Sequence, residues 1–268
     1  MTRTYRFSPA TFLMAALVFA ALGLPKASFA YTGSRIGIGG QDGSSDAQAK
    51  LNKSQFKDVK VTVDNNGIAT LTGSVSLYEY KSDAANRVRK VKSVNAVRNE
   101  IQVAGPTVPD AQLKEKLAEK LAYDRVGYGT TTFNAIGVNV QNGVVTLGGH
   151  AYSYPDKDSA VAMVSTYPGV KDVVDEIEVD PTSIMDDQTR LAVARAIYGY
   201  PSLNKYAIDP AKPIRISVQN GHVSLYGMVD SKGDRDAAYL RANGVPGVFS
   251  VKNYLQVAGQ PSEAERPQ

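Results

Sequence analysis

The chain has 268 residues, with 30 Lys/Arg against 26 Asp/Glu, a formal net charge of +4, two His, no Trp and no Cys. Without Cys there is no disulfide, no lipoprotein attachment site and no thiol nucleophile or thiolate metal ligand. Burial alone must hold the fold, and modules of about sixty to seventy residues manage that only marginally unless they pack on one another.

Residues 1–30 read as a secretory signal. Arg3 and Arg6 form the basic start, residues 10–24 the apolar stretch, and Ser28-Phe29-Ala30 a small-x-small cleavage site, predicting cleavage after Ala30. That stretch falls short of the roughly twenty residues a spanning helix needs. No other long apolar run follows, so the expectation is a periplasmic mature chain with no transmembrane segment. Residues 31–45 are Gly/Ser-rich and read as a flexible linker.

Beyond the linker one pattern recurs three times: Asn66-Gly67-Ile68-Ala69-Thr70-Leu71-Thr72-Gly73, Asn142-Gly143-Val144-Val145-Thr146-Leu147-Gly148-Gly149 and Asn220-Gly221-His222-Val223-Ser224-Leu225-Tyr226-Gly227. Counted from Gly67, Gly143 and Gly221, offset +17 is always Ala (Ala84, Ala160, Ala238). Offset +30 is always Val (Val97, Val173, Val251), and the copies stay in register to Val103, Val179 and Val257 without a gap. A repeat of this period means small tandem modules. We place them at 46–105, 110–180 and 186–258, followed by a polar tail at 259–268.

Within a module, Asn-Gly between alternating apolar residues predicts a hairpin with a primed two-residue turn. The first copy reads Asp64-Asn65-Asn66-Gly67, a turn one residue longer that suggests a bulge. The Gly at +6 (Gly73, Gly149, Gly227) falls inside the second strand and marks either a bulge or a close backbone approach. Of these we favour a helix packed tightly across the sheet. A helix with Ala84, Ala85 and Val88 follows, or its equivalents, and then a closing strand. Pro168-Gly169 and Pro246-Gly247 stop the helix in the second and third copies.

Leu113, Leu117 and Leu121 predict a helix before the second hairpin, and Leu191, Ala194 and Ile197 one before the third. The first copy has room only for a short helix around 47–53. The fold class is therefore α+β: three tandem sandwiches, each helix-strand-strand-helix-strand, with helices on one face of a mixed three-stranded sheet.

After residue 30 the chain holds 27 basic and 26 acidic side chains, a net +1. The modules are in turn basic (10 Lys/Arg, 6 Asp/Glu), acidic (6 and 11) and basic (9 and 6), which favours contacts between them. Lys81, Arg87, Arg89, Lys90, Lys92 and Arg98 crowd the second helix and closing strand of the first module. They are candidates for an anionic surface, with a solvated helix face as the plainer reading.

Chemistry-bearing patterns are lacking. His150 and His222 have no partner at metal-ligand spacing, and there is no Gly-x-Ser-x-Gly, phosphate-cradling Gly-Lys-Ser/Thr or His-Glu-x-x-His. Asp186-Asp187 reads as the N-terminal capping of a helix, where negative charge is favourable. The acids from Asp172 to Asp180 lack the spacing of a cation-binding loop. We expect no catalytic site, no metal and no cofactor. Tyr78, Tyr80, Tyr152, Tyr154 and Tyr226 read as residues lining module junctions.

The element order, the Asn-Gly-Val-Val-Thr-Leu-x-Gly core and the endings Gly169-Val170…Val173…Asp175…Ile177…Val179 and Gly247-Val248…Val251…Asn253…Leu255…Val257 together resemble the BON domain (bacterial osmotically inducible Y protein and nodulation). Module 1 departs from the pattern, with Ser93 in place of Gly. In that pattern Gly67, Gly73, Gly143, Gly149, Gly169, Gly221, Gly227 and Gly247 are structural. The resemblance implies a non-enzymatic envelope protein that binds anionic phospholipid or envelope polymer and supports the envelope under osmotic stress. The alternative it implies is a holdase for unfolded envelope proteins. Nucleic acid is not an expected partner.

Overall fold

The computed structural model describes residues 43–125, 129–181, 183–209 and 212–259, all within one compact unit, Gly40–Gln268. The expected signal segment, most of the linker and all but Gly259 of the tail lie outside the described residues. Module 1 comprises α1 (Gly43–Ala49), β1 (Val59–Val63), β2 (Ile68–Val75), α2 (Tyr78–Val88), β3 (Ala96–Asn99) and β4 (Gln102–Val103). Module 2 has α3 (Asp110–Ala122), β5 (Ala135–Gln141), β6 (Val144–Ala151), α4 (Tyr154–Ser165) and β7 (Asp172–Val179). Module 3 has α5 (Ile184–Tyr198), β8 (Arg215–Gln219), β9 (His222–Tyr226), β10 (Met228–Val229), α6 (Lys232–Asn243), β11 (Ser250–Asn253) and β12 (Gln256–Val257).

The main sheet of each module is mixed, as the sequence predicts, while β10 and β12 pair separately in parallel. β5 runs antiparallel to β6 through a tight hairpin, and β7 lies parallel to β6 because α4 carries the chain back across the sheet. The other modules repeat this arrangement. Inward residues of the central strand meet the helices: Leu71, Leu147 and Leu225 are fully buried, each contributing about 1.5–3 kcal/mol. Every module owns a separate core. Tyr78 and Val108 pack against the core of module 2, and Phe133 against that of module 3, so neighbours share their borders.

The hairpins follow their turn chemistry. Asn142 and Gly143 have φ of 55° and 77°, and Asn220 and Gly221 have 52° and 75°, the two positive values of a type I′ turn. In module 1 the Gly67 amide donates to the Asp64 carbonyl (3.0 Å) and Gly67 has φ 74°, giving the longer, bulged turn. The short first helix of module 1 is seven residues and begins at Gly43, inside the stretch read as linker. It is held because Gln48 bonds both faces of a β1 peptide pair (Val59 O, 3.1 Å; Val61 N, 2.9 Å) and Ser44 accepts from Val63 N.

The preferred reading of the +6 glycines is corrected. A Cβ on Gly73 would sit 1.9 Å from the Asp58 carbonyl oxygen, on Gly149 2.1 Å from Ala135 O, and on Gly227 2.7 Å from Pro213 O. The close neighbour is the chain entering the hairpin, not a helix, and φ is 96–120° at all three positions. The backbone bends there, and only Gly tolerates both the angle and the contact.

Candidate functional site

The six cations singled out in module 1 do not form one patch. Lys81 reaches across to Asp172 of module 2 (3.4 Å), and Arg87 pairs with Asp83 (2.8 Å) while lying over Phe56. Arg89, Lys90 and Lys92 lie just beyond α2, where cations complement the carbonyl end of the helix dipole. Arg98 stands opposite Thr70 on the open face of the sheet, away from the helices that cover Leu71 and Val97. Among the described residues no ion pair engages Arg89, Lys90, Lys92 or Arg98.

Two acids on the last strand of module 2 are paired. Asp172 meets Lys81, and Asp175 meets Lys157 at 3.0 Å. Among the described residues no group of three His, Asp or Glu is arranged to hold a metal ion.

The densest polar network joins modules 2 and 3 and is centred on Asp180, the last residue assigned to module 2. Its side chain has no exposed surface and lies 3.4 Å from Arg190 Nη2, itself 2% exposed. Ser217 Oγ (3.0 Å) and Gln219 Nε2 (3.0 Å) donate to it from β8. Burial alone would raise the Asp180 carboxyl, but bonds from His150, Gln219 and Ser217 and the Arg190 charge hold it below the usual carboxylate range. Arg190 also donates to Val218 O (3.0 Å), pairs with Asp187, and lies over the Tyr152 ring at 4.9 Å.

His150, at the end of β6, stands 3.5 Å from Asp180 Oδ1 and 3.9 Å from Glu178, with Gln219 Nε2 at 3.1 Å from Nδ1. The bond to Asp180 outweighs burial and raises the His150 pKa. Tyr78, Tyr152 and Tyr226 sit at module borders, whereas Tyr154 is 71% exposed and Tyr80 packs on its own core.

Two repeated aspartate devices escaped the sequence reading. Asp110 accepts from the amides of Asn142 (2.6 Å) and Gly143 (2.9 Å), and Asp186 does the same for Asn220 (2.9 Å) and Gly221 (2.8 Å). Each clamps a helix start to its hairpin turn. The cap of α5 is Ser183, so Asp186 is a clamp and not the cap. The second device is Ser-x-x-Asp at Ser153/Asp156 and Ser231/Asp234, a capping box whose signal was present in the sequence. Leu77 and Tyr80 occupy those positions in module 1, and α2 has no side-chain cap. The Asn/Asp of the closing motif also acquires a role: Asn99 donates to Lys81 O (2.8 Å) and Asn253 to Arg235 O (3.0 Å), tying strand to helix.

Beside the junction, the open sheet face of module 3 forms a cleft of about 560 Å³. Its rows follow from register: Gln219, His222 and Ser250 stand abreast, then Ser217, Ser224 and Lys252. Tyr226 and Tyr254 stack at 5.1 Å with 13° between their planes.

The BON domain family model matches residues 44–105, 109–181 and 200–259. The chain belongs to the BON domain family. Its BON modules resemble Osmotically-inducible protein Y of Escherichia coli strain K12, 30% identical over 132 residues. That alignment takes in 45% of this chain and 61% of the relative, so the chain spans less than two thirds of the relative's length. Among solved structures, the C-terminal domain of CdsD, a type III secretion structural protein of Chlamydia trachomatis, is 16% identical, covering 84% of this chain and all of that one at a TM-score of 0.22. The periplasmic domain of PrgH from S. typhimurium is 8% identical, covering 80% of this chain and all of that one at a TM-score of 0.18.

Proposed function

We propose that this BON protein is a periplasmic, non-enzymatic component of the stressed bacterial envelope that binds anionic phospholipid surfaces. The observation that carries the reading is the run Arg89, Lys90 and Lys92 at one end of module 1, exposed and free of ion pairs among the described residues. The name of the Escherichia coli relative, which refers to osmotic induction, supports the stress context. No described helix is long and apolar enough to cross a membrane, in keeping with surface attachment.

The test is flotation with phosphatidylglycerol-containing vesicles against pure phosphatidylcholine. Binding should occur only to the anionic vesicles, fall as salt shortens the screening length, and drop in the Arg89→Gln/Lys90→Gln/Lys92→Gln variant. Equal binding to both vesicles, or none at low salt, removes the lipid reading.

One observation favours the holdase alternative. Ile184 (77% exposed), Met185 (70%) and Leu191 (46%) on α5, with Leu240 (66%) on α6, leave apolar surface on the helical layer of module 3. Suppressed aggregation of an unfolded outer-membrane protein, lost in Ile184→Ser/Leu191→Ser, would favour it over lipid binding.

A further inference from the structure

We propose that the open sheet face of module 3 is a binding cleft for an anionic sugar, a saccharide bearing a carboxylate or a phosphate. Charge is the first argument. No carboxylate lines the cleft, although the chain carries 26 acids, while Lys252 stands exposed in it. The nearest buried acid, Asp180, is already occupied by Arg190, Ser217 and Gln219. Lys252 therefore places a positive charge, in no ion pair among the described residues, inside a concave, partly walled surface where attraction for an anion is strengthened, with the exposed Glu178, 3.9 Å from His150, bounding it on the module 2 side.

Shape and hydrogen bonding narrow the class. The stacked Tyr226–Tyr254 pair presents aromatic faces beside Lys252, with Tyr254 51% exposed. Such a face suits the C–H side of a sugar ring, while Ser224 and the hydrogen-bonded pair His222–Ser250 (2.7 Å) line its polar edge. The aliphatic lining residue Val223 is buried at 1%, so the apolar surface of the cleft is aromatic and not aliphatic. A volume of about 560 Å³ lies within the range of small-ligand sites.

The fold does not require these residues. The positions of His222, Tyr226, Lys252 and Tyr254 are Ile68, Thr72, Arg98 and Glu100 in module 1, and Val144, Gly148, Val174 and Glu176 in module 2. Three copies keep the same inward face and differ on this one. A side-chain set that serves only folding would show the same freedom without bringing a cation, two phenols and hydroxyls together in one copy.

The test is titration of the full chain with trigalacturonic acid and with glucose 1-phosphate, against maltotriose and inorganic phosphate, followed by amide NMR shifts. Saturable binding of either anionic sugar is expected, with shifts in β9 and in residues 250–254. Lys252→Met and Tyr254→Ala alter exposed side chains and should each weaken binding about tenfold or more, with Lys252→Arg retaining it. Maltotriose binding as tightly, inorganic phosphate matching the sugars, or variants that bind like the parent would overturn the proposal. Vesicle flotation separates it from the lipid reading. Unchanged flotation of Lys252→Met supports a distinct site, and its loss would assign the cleft to lipid head groups.

Discussion

Arg190 and Asp180, ten residues apart in the chain, place Nη2 and Oδ2 3.4 Å from each other with both side chains sealed from solvent. Such a pair is a poor source of net stability, because two desolvated charges roughly offset their own attraction. Losing Asp180 would leave the buried Arg190 with Asp187 and the Val218 carbonyl, and losing Arg190 would leave Asp180 with Ser217, Gln219 and His150 but without its buried counter-charge.

Arg190→Met should therefore destabilise the chain by about 3–5 kcal/mol, and Asp180→Asn in the same background should recover much of that loss. Urea denaturation of the two singles and the double closes the cycle. A double variant as unstable as the sum of the singles would show that the two residues act independently.

His150 gives the junction a pH dependence of known sign. Its folded-state pKa lies above the unfolded value, chiefly through Asp180, with Glu178 adding charge and burial opposing. The stability it contributes is full below the unfolded pKa of about 6.5 and is lost as pH rises through the folded value. Unfolding free energy should fall over that interval in the parent and lose this slope in His150→Gln. An identical slope in the variant would assign it to other groups.

Gly148 and Gly149 are adjacent and should behave oppositely. A Cβ at Gly148 meets nothing within 4 Å, whereas at Gly149 it meets Ala135 O at 2.1 Å with φ 96°. Gly149→Ala should cost at least about 1–3 kcal/mol by thermal denaturation, and Gly148→Ala should be close to neutral. Comparable losses at both would refute the bent-backbone account.

Asp186→Ala should cost about 1–3 kcal/mol by stranding the amides of Asn220 and Gly221, the latter buried. Hydrogen exchange at those two amides should accelerate ahead of the rest of β8 and β9. Unchanged exchange there would mean that the clamp is not what protects the turn.

The number of modules, the order of elements and the two hairpin types are legible in the sequence because each depends on local signals. Leu113, Leu117 and Leu121 mark one face of a helix, and Asn-Gly demands two positive φ angles. Even the capping boxes at Ser153/Asp156 and Ser231/Asp234 were readable by spacing. The basic cluster of module 1 was legible only as composition. Lys81 and Arg98 are 17 positions apart on different surfaces of one module, which residue counts do not reveal.

The sequence by itself determined what one module is and that there are three. Only the tertiary structure decided what happens where modules meet: that Asp180 faces Arg190 and His150, that Lys81 reaches Asp172, and that module 3 leaves an aromatic, cationic sheet face open beside the junction. The physical reason is range. Periodicity and turn chemistry act over a few residues, whereas these contacts join separate cores across up to 91 positions, with no periodic signal to announce them.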